Sequence, residues 1–451
     1  MPHRKGAVRP RCGTLRRCPT MLTTNATHSE SQDATPLSVE LDGVLARTDT
    51  LHEGLLRLLK RQPHLAPAVL GWSLRGRAFL QAEVARRVEL DVTRLPYDEA
   101  LLSRLSEERA RGRRVVLTTT ADRRTAEAVA AHLGLFDSVH ASDTPLSGPH
   151  EQARRAGPTK PFPRTLLKAL RVHQWAKNVL VFVPILAAHK ALNVPLLLQA
   201  LLGFISFSLC ASSVYVLNDL LDLDSDRKHP TKRRRPFAAG DLSVRTGLLL
   251  APLLLGAGAA VALVLPREFL ALLGTYYGIT LAYSLYLKQV VMLDVLLLAG
   301  LYTVRIFGGS LAVGVPTSSW LFTFSMFLFL SLALVKRLSE VRRLRLSNES
   351  AAPGRGYVAG DYEQLAMLGV SSGYLSVLVL ALYITSKEVT VLYLHPERLW
   401  LLCPVMMYWV GRVWLLAHRG QVNEDPLVFA LKDKVSYAVG LIAAGVMLTA
   451  T

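Results

Sequence analysis

A mainly α, polytopic membrane protein preceded by a small soluble α/β domain is the fold class this sequence predicts. Three observations predict it. The 451-residue chain is 51 % hydrophobic, with a mean hydropathy of +0.29. Its long apolar runs begin after residue 164 and approach the ~20 residues that cross a bilayer. Residues 36–144 instead alternate short apolar strands with amphipathic helices.

The net charge is +18. In a membrane protein this points to anionic lipid surfaces and phosphate ligands. The basic residues lie in loops between spans, which argues against a nucleic-acid face. Residues 1–35 form a basic tail (Arg4, Lys5, Arg9, Arg11, Arg16, Arg17) without the apolar core of a signal peptide, so the tail is expected to be disordered. Met21 is a candidate start. The four cysteines indicate no disulfide framework.

In residues 36–150, Pro36 to Gly43 reads as a strand running into a turn. Leu55–Leu59 and Ala82–Val88 read as helical, and Arg113–Thr118 as a second strand. Asp122–Leu133 reads as a helix closed by Gly134, and Phe136–His140 as a third strand. Residues 151–163, containing Pro158-Thr159-Lys160-Pro161, read as a linker.

Residues 164–451 carry apolar runs near 176–189, 194–217, 244–265, 268–287, 290–313, 318–335, 364–385, 398–416 and 435–450, about nine spans around a central cavity. With the N-terminus cytoplasmic, the inner loops hold seventeen Lys and Arg. The outer loops hold four: Lys190, Arg267, Lys387 and Arg398. That bias orients the protein.

The second run ends in Asn218-Asp219-Leu220-Leu221-Asp222-Leu223-Asp224-Ser225-Asp226, followed by the cations Arg227, Lys228, Lys232, Arg233, Arg234 and Arg235. On a continuous helix Asp219, Asp222 and Asp226 share a face. Three carboxylates at a membrane edge repel one another, and Mg²⁺ bound together with a phosphorylated substrate relieves the repulsion. Arg227, Lys232, Arg233 and Arg235 are candidate phosphate anchors. Lys336-Arg337 with Glu340 forms a second charged cluster on the same side. Glu424-Asp425 through Lys432-Asp433-Lys434 forms a third. Arg305 lies mid-span and needs either a polar partner, for which Asp294 is a candidate, or a substrate phosphate.

The α/β segment resembles the start of a haloacid-dehalogenase-type phosphatase, whose Asp-x-Asp-Gly motif follows its first strand. The resemblance puts Glu40 at the nucleophile position, Asp42 at the acid/base position and Thr118 at the phosphate-binding hydroxyl. The later lysine and acidic motif have no match. It implies a catalytically dead domain with a structural or regulatory role.

The membrane segment resembles the UbiA-type prenyltransferase superfamily through Asn218-Asp219-x-x-Asp222-x-x-x-Asp226. A narrower resemblance is to the decaprenyl-phosphate phosphoribosyltransferases. It runs through Gln174 to Val181, Val216 to Asp219, Asp226 to Arg233, Arg235-Pro236, Ala238-Ala239-Gly240, Lys336-Arg337 with Glu340, and the Glu424 to Asp433 loop. The resemblance implies Mg²⁺ on Asp219, Asp222 and Asp226, oriented by Asn218. It implies phosphate contacts from Lys177, Lys232, Arg233, Arg235 and Lys336. It implies transfer of 5-phosphoribose from phosphoribosyl pyrophosphate to a polyprenyl phosphate at the bacterial inner membrane, with the active site cytoplasmic. Lys336, Arg337 and Glu340 stand where aromatic prenyltransferases carry a second Asp-rich motif. Prenyl transfer to an aromatic acceptor is the rival enzyme reading, and a transporter or lipid-binding module the rival from another class.

Overall fold

The computed structural model describes residues 35–451, apart from 121, 142–148, 155–160, 317, 348–354 and 423–424. The expected disordered tail, Met21, the middle of the linker and Glu424 lie outside the described residues.

Four parallel strands form the sheet of the α/β domain: β1 (Leu37–Glu40), β2 (Val115–Thr118), β3 (Ser138–His140) and β4 (Glu151–Gln152), in the order β3-β2-β1-β4. Leu37, Val39, Val115 and Leu117 are fully buried, as the central strands of a covered parallel sheet require. They pack with Leu101 and Leu105 of α4 (Glu99–Ala110) and with Ala126 and Val129 of α5 (Arg123–Leu133). Asp122 caps the start of α5, and Gly134 ends it at φ 63°. Strand β4 lies past residue 150, so the sheet takes in what reads as the beginning of the linker. Its two residues are too short to leave a periodic signal. Between β1 and α4, α1 (Thr50–Arg61), α2 (Ala66–Leu74) and α3 (Arg77–Arg87) pack a separate cluster of Leu51, Leu58, Leu80, Val84 and Val88.

The remainder is helical: α6 (Phe162–Ala169), a 3₁₀ stretch Val172–Phe182, α7 (Val183–Ala187), α8 (Val194–Leu221), α9 (Leu223–Lys228), α10 (Val244–Ala262), α11 (Arg267–Leu285), α12 (Leu293–Val313), α13 (Ser319–Ser347), α14 (Tyr362–Ile384), α15 (Lys387–Leu392), α16 (Leu402–His418), α17 (Pro426–Ala430) and α18 (Lys434–Ala450). Among the described residues six helices are long and apolar enough to cross a membrane: α8, α10, α12, α13, α14 (counted from Ala359) and α16 (counted from Pro396). The chain is a multi-pass membrane protein. The other three expected spans differ. The 176–189 run becomes 3₁₀ backbone and a five-residue helix. Helix α11 carries Arg267, Glu268 and several tyrosines, and α18 has 17 residues.

Small residues set the helix crossings, as they do where lipid supplies no hydrophobic drive. A Cβ on Gly309 of α12 would lie 2.1 Å from the Val181 carbonyl oxygen, so the 3₁₀ stretch touches α12 backbone to backbone. The stretch is wedged into the bundle rather than laid along its surface, and Val181 and Asn178 are buried.

Candidate active site

Helix α8 begins on an Asn193 cap and runs to Leu221. It then stops. Asp222 adopts φ −102°, ψ 12°, and α9 starts afresh at Leu223. The continuous helix face expected for Asp219, Asp222 and Asp226 is therefore broken at its middle member. Ser, Asp and Asn side chains compete for the backbone and weaken helix interiors, and this segment packs three aspartates and a serine into five residues.

The break divides the aspartates into two sets. Asp219 and Asp226 are 2 % and 1 % exposed and converge on one guanidinium nitrogen of Arg235, at 3.2 and 2.6 Å. Arg171 also pairs with Asp219. Asp222 turns away to Lys60 of α1 at 3.0 Å and to Lys288 at 4.0 Å, and Asp224 meets Arg57 of α1 at 3.0 Å. Among the described residues no three His, Cys, Asp or Glu side chains are gathered closely enough to hold a metal ion together. The donor set nonetheless suits Mg²⁺: Asp219 and Asp226 are hard oxygen ligands that already converge on a cation, and two carboxylates plus substrate phosphates are its usual protein site. Asn218 donates to Ser284 Oγ at 3.0 Å, which fixes its amide beside them.

Lys232 and Arg233 are exposed beyond α9, while Arg235 is half-buried. Arg227, read as a phosphate anchor, instead makes two hydrogen bonds to Glu53 of α1, at 2.9 and 2.5 Å. Its guanidinium also donates to the Ala238 carbonyl at 3.2 Å. These contacts commit it to the junction of the two domains.

A second centre forms around Asp425. Lys177 reaches its carboxylate at 2.7 Å, Lys336 at 3.4 Å, and the Tyr302 hydroxyl donates to both oxygens at 2.9 Å. Burial opposes ionisation, yet the two lysines hold the Asp425 carboxyl well below the usual carboxylate range. Four parts of the chain meet here: the 3₁₀ stretch, α12, α13 and the loop before α17. The sequence marks this loop as a charged cluster but does not mark Asp425 as its hub.

Arg337 is fully buried and pairs with Asp294 at 2.5 Å and Glu340 at 2.5 Å. Arg355 and the Tyr357 hydroxyl complete that network, at 3.4 and 2.6 Å from Asp294. The pairing expected between Asp294 and Arg305 is thus replaced by one with Arg337. Arg305 takes neutral partners: Asn178 Oδ1 at 2.7 Å, the Tyr276 hydroxyl at 2.8 Å and the Leu301 carbonyl. Its guanidinium also stands 5.0 Å from the Tyr276 ring centre.

In the α/β domain, Asp42 accepts from the Thr50 amide at 2.9 Å, and Thr118 Oγ1 donates to the Val39 carbonyl at 3.1 Å. Burial pushes the Asp42 carboxyl up to about 6.

Two buried, cation-paired carboxylates at the end of a membrane helix, and a separate pair of lysines on Asp425, are groups of the kind that handle phosphates in a membrane protein. Residues 179–432 match the model of the UbiA prenyltransferase family, and the chain belongs to that family. Residues 16–183 match the haloacid dehalogenase-like hydrolase model. The uncharacterized protein y4nM of Sinorhizobium fredii is 34 % identical, over 92 % of this chain and 91 % of that one. Nodulation protein NoeC of Azorhizobium caulinodans is 36 % identical, over 60 % of this chain and 87 % of that one. Decaprenyl-phosphate phosphoribosyltransferase of Mycolicibacterium smegmatis is 32 % identical, over 46 % of this chain and 64 % of that one. Among solved structures, a UbiA homolog from Archaeoglobus fulgidus bound to DMAPP and Mg²⁺ matches with a TM-score of 0.48 at 17 % identity, over 63 % of this chain and 96 % of that one.

Proposed function

We propose that this chain transfers 5-phosphoribose from phosphoribosyl pyrophosphate to a polyprenyl phosphate, at the cytoplasmic face of a bacterial inner membrane. The observation that carries the reading is the pairing of two unlike centres. One holds convergent carboxylates suited to a metal–diphosphate. The other is a pair of lysines, Lys177 and Lys336, held 2.7 and 3.4 Å from Asp425. Two lysines suit the double charge of an acceptor phosphate, which is more than the single carboxylate of an aromatic acceptor such as 4-hydroxybenzoate needs. The decaprenyl-phosphate phosphoribosyltransferases among the relatives support it further.

In this mechanism Asp219, Asp226 and a re-aimed Asp222 would hold Mg²⁺, with Asn218 fixed beside them. The metal, when bound, neutralises the diphosphate and makes it a better leaving group. Lys232, Arg233 and Arg235 anchor donor phosphates. Lys177 and Lys336 exchange Asp425 for the acceptor phosphate and aim its oxygen at the anomeric carbon. The new C–O bond forms as the C–O bond to pyrophosphate breaks, and pyrophosphate departs with the bonding pair. Fixed charge around that departing group is the largest source of rate, about 2.7–4 kcal/mol per well-placed group.

The seventeen-to-four loop charge bias supports the cytoplasmic orientation. Adding α11, α18 and the wedged 172–187 segment to the six long helices gives the nine-segment bundle. An apolar cavity of about 630 Å³, lined by Pro184, Trp320, Phe324, Tyr383 and Leu402 among others, lies toward the opposite end of α13 from Lys336, where the far part of a long isoprenoid tail would reach. The test is to incubate purified protein with radiolabelled phosphoribosyl pyrophosphate, Mg²⁺ and decaprenyl phosphate. Label in the lipid fraction is the expected result. No transfer there, but transfer from a prenyl diphosphate to 4-hydroxybenzoate, would replace this reading with the aromatic one.

A further inference from the structure

The α/β domain sits on the acidic motif through charged contacts that are not all alike. Arg57 with Asp224 and Glu53 with Arg227 are one-to-one pairs. Within the membrane domain Arg171 and Arg235 balance Asp219 and Asp226. Asp222 breaks the pattern, because it has two cations, Lys60 from α1 and Lys288 from the loop after α11. One positive charge is left over at that edge. Like charges gathered at the mouth of a diphosphate site are stabilised by an anion.

Lys60 is placed to supply part of that stabilisation. Its ammonium donates to the Leu221 carbonyl at 2.6 Å, at the end of α8, and to Asp222 at 3.0 Å. An ammonium has three donors, so one remains available to an incoming oxygen. The side chain is 47 % exposed, which leaves it within reach of a ligand.

We propose that Lys60 of the α/β domain is part of the transferase's donor site, contacting a phosphate oxygen of the bound diphosphate while Asp222 turns toward the metal. The catalytically degenerate domain thereby serves as a cap that completes the site from outside the membrane. This rests on the reading of Asp219, Asp222 and Asp226 as the metal–diphosphate site, but it is independent of which group is transferred and to what acceptor.

The experiment uses the full-length protein in detergent, with inorganic pyrophosphate and Mg²⁺ as the probe. Lys60→Ala weakens pyrophosphate binding about tenfold, the size expected for one charge-assisted hydrogen bond, and Lys60→Arg restores most of it. Hydrogen exchange over Thr50–Arg61 stays as in the wild type, because Glu53–Arg227 keeps the domain docked. Binding by Lys60→Ala that equals the wild type, or is tighter because the lysine merely plugs the site, overturns the proposal. Loss of binding in Asp219→Asn tests the underlying site by itself. Pyrophosphate binding without phosphoribosyl transfer removes the transfer reaction while leaving Lys60 in place.

Discussion

Glu53 and Arg227 join the two domains through a buried pair whose side chains are 5 % and 7 % exposed. Thr48 Oγ1 donates to Glu53 at 2.5 Å, so both partners are well satisfied. Removing one partner of such a pair strands the other charge, at about 3–5 kcal/mol. Glu53→Ala should therefore loosen the docked domain, seen as faster exchange over Thr50–Arg61. Combining it with Arg227→Met should cost less than the two single changes together. Simple additivity would show that the pair does not hold the domains together.

Gly240 sets how closely the domains approach. It adopts φ +68°, and a Cβ there would lie 2.6 Å from the Arg47 carbonyl oxygen. Gly240→Ala faces the left-handed penalty of roughly 1 kcal/mol and a clash with backbone that cannot swing aside. The expected outcome is partial undocking, with both domains still folded. An exchange pattern like the wild type's would mean that the turn carrying Gly240 gives way instead.

The aspartates should separate by their partners. Asp219→Asn and Asp226→Asn disturb the convergent buried pair, so transfer activity should fall on the order of a hundredfold. Asp222→Asn should also fall steeply. Asp224 is 46 % exposed and bonded to Arg57, so Asp224→Asn should stay within a few-fold of wild type. Lipid-linked product across a Mg²⁺ series is the measurement. Uniformly mild effects would leave the motif a topological signal.

Asp42 makes the stability of the α/β domain depend on pH. Its carboxyl titrates near 6 when folded, against 3.8 for the ordinary group. Between those values the folded state keeps a proton that the unfolded chain loses. Stability from this group is thus fully present below pH 3.8 and lost as pH rises through 6, on the order of 3 kcal/mol in total. Asp42→Asn should remove that slope and stabilise the domain at pH 7.5, read by its melting curve. If Glu40 stands where the resemblance puts the nucleophile, the same domain should not turn over phosphate esters. Turnover abolished by Asp42→Asn would show an active phosphatase.

Arg305 should be required for the fold of the bundle. Arg305→Met leaves Asn178 and Tyr276 with unmet polar atoms, each costing about 1–3 kcal/mol when buried. Arg305→Lys should recover only part, since an ammonium cannot span Asn178, Tyr276 and Leu301 as a planar guanidinium does. Unchanged detergent melting in Arg305→Met would make the contacts dispensable.

Local pattern made β1, β2 and α5 legible, since short apolar runs, the Asp122 cap and Gly134 are written in consecutive residues. The acidic motif was legible as chemistry, but its geometry was not. Helical periodicity places Asp219, Asp222 and Asp226 together only while the helix continues, and it ends at Asp222. Asp222, Asp224 and Arg227 each take a partner from residues 53–60, which lie 162 to 174 positions earlier, and no spacing rule reaches that far. A mid-span arginine needs a polar partner and Asp294 is the carboxylate on the same helix, but eleven residues separate them, about 16 Å along the axis and beyond side-chain reach. The buried Arg337 of the next helix packs against Asp294 and takes it first.

The contact between Gly309 and the Val181 carbonyl has a mechanical consequence. The 3₁₀ stretch carries Lys177 and Asn178, and α12 carries Tyr302 and Arg305. Because their backbones touch with no side chain between them, the two segments are geared together and slide as one. The distance from lysine to tyrosine around Asp425, and from asparagine to arginine deeper in the bundle, is then set by a single fixed joint. Bilayers of different thickness can tilt the outer helices without detuning either set of contacts. A methyl group at residue 309 would act like a shim, lifting both sets out of register at once.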